Sequence, residues 1–535
     1  MTAETISVKT CEQSNINTLR QSLPQILAVS VKNVLLLAFG MSLGYPTVLI
    51  PSLSGGNPQE TIVLDRDAIS WIGSVNLLCV PLGCLLSGFL TQPLGRRRTM
   101  QLVNIPFLSA WLLFSQATKS WHVFLASCMT GFSGGLLEAP TLTYLAEVTT
   151  PNLRGILAST STVAVISGIL LEFLLGTFLN WRKVALVSAA VPIFSCVLLF
   201  FVPESPYWLI FKGRVLDAQK SMAWLRGWVD LEAVQTEFKE FYEQLIQESF
   251  KGSTEELKGW KNLKENSKLY SKKSFLWPFS LVSFVFFLSH FSGLTTLQTY
   301  AVSIFTTLEV PINKYYATIM VGVAEMLGCI LSSFLVHFVG KRRMNFFSLF
   351  GTSLCFCVVA TYAYLHEITI LLTLTPGKEL TPDDRNWVPL TFLILAAFCS
   401  HTGIRILPWM LIGEVYHNKI RAPASGFSSA ASYILGFMAN KIFFSMVITM
   451  TLSGTFWFYS GVSLIGLVTL YFWLPETEGK SLFEITEHFR GGTKLNNQVT
   501  NFIQMKRLKH RQNGNTGGEI NSAFDNKDEI INIRL

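Results

Sequence analysis

Gly88–Arg98, GFLTQPLGRRR, returns as Ser333–Arg343, SFLVHFVGKRR, and this repetition decides how the chain is organised. Each copy is an apolar run that ends in a glycine, Gly95 or Gly340, followed by a cluster of cations. A second pair follows in the same order. Glu147 precedes Arg154 in EVTTPNLR and Glu414 precedes Arg421 in EVYHNKIR, with the same spacing in both. Two motifs repeated in one order at similar offsets indicate duplication of a half-molecule, a plan shared by many membrane carriers.

The composition fits that plan. Of 535 residues, 50% are hydrophobic and only 14% charged. Apolar stretches of about 20 residues, each long enough to cross a hydrocarbon core as a helix, recur along the chain. Twelve spans are expected, at 25–50, 68–91, 99–118, 121–146, 156–179, 184–203, 275–306, 314–338, 344–365, 387–413, 423–447 and 454–474. The predicted fold is an all-α membrane protein of twelve transmembrane helices in two six-helix pseudo-symmetric bundles. Arg96, Arg97, Arg98, Arg154, Lys341, Arg342, Arg343, Lys419 and Arg421 cluster in four short loops on one face, which the positive-inside rule assigns to the cytoplasm. An even number of spans then puts both termini there, with the multi-pass protein at the cell membrane. Residues 1–24 are polar and the first apolar segment is full length, so no cleavable signal peptide is expected.

The expected organisation is a cytoplasmic N-terminal segment (1–24), an N-terminal bundle (25–203), a cytoplasmic loop with amphipathic helices (204–274), a C-terminal bundle (275–474) and a cytoplasmic tail (475–535). In the loop, Val215, Ala218, Met222 and Leu225, then Val234, Phe238, Phe241 and Leu245, recur at helical spacing. The tail carries one basic cluster, Lys506, Arg507, Lys509, His510 and Arg511, suited to weak attraction to lipid. The nine cysteines form no extracellular pairing pattern and read as packing thiols, so no metal is expected. The net charge of +8 fits an anionic inner leaflet better than nucleic acid, and no nucleic-acid partner is expected. No GxxxxGK[ST] loop and no catalytic constellation is present, so neither an enzyme nor a cofactor is predicted.

At these motifs the chain resembles the sugar porter family of the major facilitator superfamily, over roughly residues 25–490. PESPYWLIFKGR at 203–214 and PETEGKSLFEI at 475–485 are similar to the family's PESPR and PETKG. FSGLTTLQTY at 291–300 resembles its QQxSGxNxxxYY stretch, and span 10 carries Pro408 and Trp409. Thr162, where many hexose carriers have Gln, is similar to the insect facilitated trehalose transporter branch. The resemblance implies a carrier of a small solute, trehalose or a hexose such as glucose, working by facilitated diffusion and alternating access across the lipid bilayer.

Its site residues carry over onto Ser289 and His290 (the two glutamines of span 7), Thr295, Glu325, Trp409, Ser432 and Tyr433. Most amides of a sugar site are gone, and charge stands in their place. Glu325, His401 and Arg405 lie within spans, where an ionisable group costs several kcal/mol unless it faces a cavity or a partner, so Glu325 is expected to pair with Arg405. His401 and Arg405, four apart, are expected on one helix face. Glu138 and Glu172 are further intramembrane carboxylates, and Lys32 lies near enough to a span end to snorkel. A plainer alternative is a structural ion network in a divergent carrier. Two other readings stay open: a proton-coupled or non-sugar carrier, and a solute sensor that transports only weakly.

Gly95, Arg96, Arg97, Glu147 and Arg154, with Gly340, Lys341, Arg342, Glu414 and Arg421, form the expected conformational latch. Pairs between these cations and glutamates are expected to form only when the cytoplasmic ends close together. The acidic residue usual in this loop is replaced by Gln92 in the first copy and His337 in the second, and the Arg usual near the start of span 4 by Ser127. Each lost charge is expected to weaken the lock by about 0.5–2 kcal/mol, roughly two- to thirtyfold in the ratio of states. Cysteine accessibility of the cytoplasmic cavity is therefore expected to fall in Gln92→Asp, and unchanged accessibility would count against the lost-charge argument.

Overall fold

The structure is a computed structural model that describes residues 3–54, 60, 62–256, 273–371, 387–416, 421–480, 482–492 and 495. Among these, nine helices are long and apolar enough to cross a membrane. The last, Ala424–Trp473, folds back at Thr451, whose φ of 68° breaks the helix into spans 11 and 12. Arg96–Ser115 forms span 3, and Ser120–Leu136 with Glu138–Val148 forms span 4, which brings the total to twelve. Span 1 belongs to a helix that starts at Ala3 and ends at Leu53, so helix occupies most of the segment expected to precede it.

The two halves repeat each other in their packing. Spans 1 and 5, 2 and 4, and 3 and 6 adjoin in the first half. Spans 7 and 11, 8 and 10, and 9 and 12 adjoin in the second. The halves meet where span 2 packs on span 11, span 5 on span 8, and span 1 on span 7. After span 6, short helices at Pro206–Phe211 and Val215–Leu225 lie on the face that carries the basic loops, followed by Gln235–Glu256. Trp208, Leu209, Ala218, Met222 and Phe238 give them a small core of their own.

The glycines of the duplicated loops have a backbone reason to be there. Gly95 (φ 95°) ends span 2 and opens span 3, and Gly340 (φ 88°) does the same for spans 8 and 9. The turn needs a positive φ that other residues adopt only at a cost. A Cβ at Gly95 would also stand 2.6 Å from Glu204 Oε2.

The halves are joined away from the basic face. Ser70 donates to the Lys441 carbonyl, Asn440 Nδ2 to the Gly73 carbonyl, and Thr47 to the Gln298 carbonyl. Nearer mid-span, the Ser167 hydroxyl meets Met326 sulfur, and Ile166 packs with Cys329 and Ile406. A side chain added at Gly88, Gly155, Gly413 or Gly426, near the basic-face ends of spans 2, 5, 10 and 11, would meet nothing within 4 Å. The hydrogen bonds and packing named above join the halves on the side away from the basic loops and at mid-span.

On the side away from the basic loops, Glu60 ties the loop after span 1 to the start of span 6. Its carboxylate accepts from Arg182 Nη1 at 2.7 Å, Arg182 Nη2 at 2.8 Å and Trp181 Nε1 at 2.9 Å, and Arg182 Nη2 also reaches the Ala117 carbonyl. Burial raises this carboxyl, but the hydrogen bonds from Arg182 and Trp181 and the guanidinium charge outweigh it and hold the pKa below 4.5. A depressed folded pKa contributes stability that is present above the ordinary carboxylate range and lost as pH falls through the lower folded value. The wild type should therefore lose more melting temperature than Glu60→Gln between pH 6 and pH 3.5, and at pH 7 the variant should be less stable by about 1–3 kcal/mol. Parallel melting curves across that range would refute the assignment.

Candidate functional site

Two breaks in the helices create the central polar cluster. Span 7 stops at Phe291 and restarts at Leu294, with Gly293 at φ 94°; span 10 stops at Thr402 and restarts at Leu407. A Cβ at Gly293 would lie 2.5 Å from the Tyr459 ring, so both the dihedral and the close approach favour glycine. The breaks let side chains from separate helical pieces converge.

Gln298 stands at the centre. Its Nε2 donates to Glu325 Oε2 at 2.7 Å, and its Oε1 accepts from Arg405 Nη2 at 3.0 Å. Arg405 Nη1 donates to Thr295 Oγ1 at 3.0 Å and reaches the Ser289 carbonyl at 3.5 Å. His290 completes the chain, with Nδ1 3.0 Å from Thr295 Oγ1 and Nε2 3.1 Å from Ser432 Oγ. Glu325 is fully buried, and its second oxygen, Oε1, has no hydrogen-bond partner among the described residues. His290, Gln298 and Arg405 are only half-buried, so the cluster keeps an accessible side. Trp409 is 37% exposed and leans on Phe286 (5.1 Å between ring centroids) and Tyr433 (6.0 Å). Tyr433 in turn meets Phe39 of the first half at 6.4 Å. The arrangement offers amide, hydroxyl, guanidinium and imidazole groups beside an aromatic wall, which suits a polar solute with several hydroxyls.

Several expectations meet a different geometry. Glu325 and Arg405 do not pair directly; Gln298 stands between them and bonds to both. Sequence reasoning missed this residue because the family's glutamines fell on Ser289 and His290. Its signal was its place in FSGLTTLQTY, three positions after Thr295 and so on the same helical face. Ser289 contributes its carbonyl, and its side chain is buried. His401 does not share a face with Arg405, because the helix ends between them. Its Nδ1 bonds to the Ala397 carbonyl, and its Cβ fills the space beside Gly328. Lys32 does not snorkel: it is 1% exposed and donates to Ser161 Oγ at 2.7 Å, next to an Asn33–Thr160 bond. Thr162 lies on that helix one turn from Ile166 and stays outside the Gln298 network. Glu172 is fully buried with one oxygen on Ser188, and Glu138 is half-buried.

The duplicated loops form two matching clusters. Arg96 Nη2 contacts Glu147 at 2.8 Å, and Lys341 Nζ contacts Glu414 at 2.5 Å and Glu478 at 2.9 Å. Arg97 and Arg342 donate to the Val202 and Tyr471 carbonyls, and Arg154 to those of Ala146 and Thr149. The Arg421 side chain lies outside the described residues, as does the basic cluster at 506–511. Both members of each pair belong to one half, so the pairs brace each half internally and do not bridge the two.

Two further glutamates complete these clusters. Glu204 accepts the backbone N–H groups of Arg96 and Arg97, and Glu476 those of Lys341 and Arg342. A carboxylate on the unpaired N–H groups at a helix start satisfies them and complements the dipole. Their signal was the repeated Pro-Glu of PESP and PETE. Acid also returns near His337, whose Nδ1 lies 2.8 Å from Glu478 Oε1. Burial raises the Glu478 carboxyl, but Lys341 and His337 more than offset this and hold its pKa below the ordinary value.

Residues 49–489 match the family described as "Sugar (and other) transporter". Among curated proteins, the facilitated trehalose transporter Tret1 of Apis mellifera ligustica is 27% identical over 482 residues, covering 90% of this chain and 91% of that protein. Tret1 of Bombyx mori is 28% identical over 474 residues, 88% of each chain. Among solved structures, the proton:xylose symporter XylE bound to 6-bromo-6-deoxy-D-glucose superposes with a TM-score of 0.66 at 18% identity, covering 88% of this chain and 100% of that one. The inward-open conformation of XylE from E. coli gives 0.66 at 17% identity, over 85% and 98%. The twelve-helix fold is thus that of the major facilitator superfamily, and with its match over most of its length the chain belongs to the sugar (and other) transporter family, as a multi-pass membrane transporter.

Proposed function

We propose that this transporter carries a neutral sugar, trehalose or a hexose such as glucose, by facilitated diffusion, with Gln298, Arg405, Thr295, His290, Ser432 and Trp409 lining the path. The observation that carries this reading is the Gln298-centred network. It neutralises Glu325 and Arg405 internally while leaving amide, guanidinium and imidazole groups half-buried beside an aromatic ring, with the Thr295 and Ser432 hydroxyls behind them. A solute with several hydroxyls can exchange hydrogen bonds with such groups, whereas a charged solute would have to displace an internal counter-charge. Family membership and the trehalose transporters among its relatives support the substrate class. The basic loops support an orientation with both termini in the cytoplasm, so that the joined side faces outward and the gap between the halves opens inward. Closing it requires the halves to rock about the contacts of spans 1, 2, 5, 7, 8 and 11, with the intra-half charge clusters moving as rigid parts.

One observation favours a second reading, proton coupling. Glu325 Oε1 and Glu172 Oε1 are both buried without a hydrogen-bond partner among the described residues, and intramembrane carboxyls of this kind serve as proton relays in other transporters.

Purified protein in liposomes should show counterflow of labelled trehalose or glucose that a protonophore leaves unchanged. Accumulation driven by an imposed pH gradient would establish the coupled reading instead. Binding without counterflow would identify a sensor, and a response only to an ionic solute would remove the sugar assignment.

Gln298→Leu should leave Glu325 and Arg405 without their bridge. At about 1–3 kcal/mol for an unpaired buried group, initial uptake should fall about five- to 150-fold while the melting temperature shows the protein still folded. Unchanged uptake in a folded Gln298→Leu protein would place the network off the substrate path.

A further inference from the structure

A second pocket lies on the basic face, away from the gap between the halves, with a volume of about 310 Å³. Arg97 and Arg98 at the start of span 3 form one wall, and Trp208, Arg214, Lys220 and Trp224 of the short helices after span 6 form the other. Two carboxylates, Glu204 and Asp217, also line it, but both are already engaged. Glu204 accepts the N–H groups of Arg96, Arg97 and Ser205, and Asp217 holds Arg214 at 2.7 Å. Arg98 and Lys220 are exposed and have no acidic partner among the described residues. Arg97 Nε is buried with no hydrogen-bond acceptor among the described residues. The walls are fixed before any ligand arrives, since Trp208 Nε1 donates to the Gln92 carbonyl and Ser221 to the Glu204 carbonyl.

Comparison of the two halves isolates what is particular to this place. Glu476 and Arg342 repeat the roles of Glu204 and Arg97 in the second half, so the helix-start charge cluster came with the duplication. Among the described residues the second wall did not, because after Glu476 the chain passes within a few residues to the helix Leu482–Arg490, with no counterpart of the helices at 206–225 between.

We propose that this pocket binds a phosphate monoester, on the headgroup of a membrane lipid or as free phosphate. Four cations against two engaged carboxylates leave an excess of two positive charges. A monoester carries about −1.5 to −2 at neutral pH and has three strong acceptor oxygens for the Arg97 guanidinium, Arg98 and Lys220. A bound monoester bridges the start of span 3 to the helix Val215–Leu225, which joins the state of the basic face to an anion outside the transport path.

The test uses the full-length protein in phosphatidylcholine nanodiscs. Binding is followed by melting temperature and Trp fluorescence with phosphatidylinositol 4-phosphate in the disc, with phosphatidylserine as a diester of net negative charge, and with inorganic phosphate in solution. Saturable binding in the phosphatidylinositol 4-phosphate discs, above that in phosphatidylserine discs and weakened about fivefold or more in the Arg98→Gln/Lys220→Gln variant, supports a lipid source. The same loss of binding for inorganic phosphate supports a soluble one. Phosphatidylserine acting as well as the monoester lipid, no saturable binding of any probe, or equal affinity in the folded double variant overturns the site. Lys220→Arg, which keeps the charge, should retain most of the binding.

Discussion

In hydrocarbon a polar group has no water to turn to, and this constraint organises the whole molecule. Every buried carboxylate, guanidinium and freed backbone group has to find its partner inside the protein. Span 7 can break at Gly293 and span 10 between Thr402 and Leu407 because the breaks face the interior, where Gln298, Arg405, Thr295 and His290 join in one network. The buried Glu325 is tolerable there because Gln298 reaches it and Arg405 stands one side chain further on. The same rule works at the membrane surface, where Glu204 and Glu476 take up the first N–H groups of spans 3 and 9.

Duplication turns these local solutions into a machine with two similar parts. Each half carries its own glycine turn, its own glutamate on a helix start and its own cation–glutamate pair. Arg96 with Glu147, and Lys341 with Glu414 and Glu478, hold the ends of neighbouring spans within a half. Breaking such a largely buried pair by removing one partner costs about 3–5 kcal/mol, more than a rocking motion should have to supply at each turnover. The halves can therefore move as bodies, joined by the packing of span 2 on span 11, span 5 on span 8 and span 1 on span 7 and by hydrogen bonds such as Asn440 to Gly73.

The two halves also diverge where symmetry is not needed. His337 takes the place of an acid, yet Glu478 brings a carboxylate to the same spot from the PETE segment, so the second cluster keeps its charge balance. In the first half, the backbone carbonyl of Gln92 accepts from Trp208 and helps seat the short helices that follow span 6, a bond that any residue at this position would make. At His337, a substitution that reads as a loss in the loop alone thus has a different meaning once the neighbouring segment is in place.

The sequence by itself determined the twelve spans, the duplication and the residue types within the polar cluster, because span length, charge clustering and motif order are local properties that lipid selects directly. Thr295, His290, Ser432 and Trp409 could be singled out through the resemblance to the sugar porter family, and Arg405 as a charge within a span. Their connections could not. Gln298 as the bridge, the separation of His401 from Arg405, the burial of Lys32 against Ser161 and the confinement of each charge pair to one half all depend on where helices break and which faces meet. Those are decided by packing between segments far apart in the chain. A helical period assumes an unbroken helix, and at the functional centre of this protein the helices are broken.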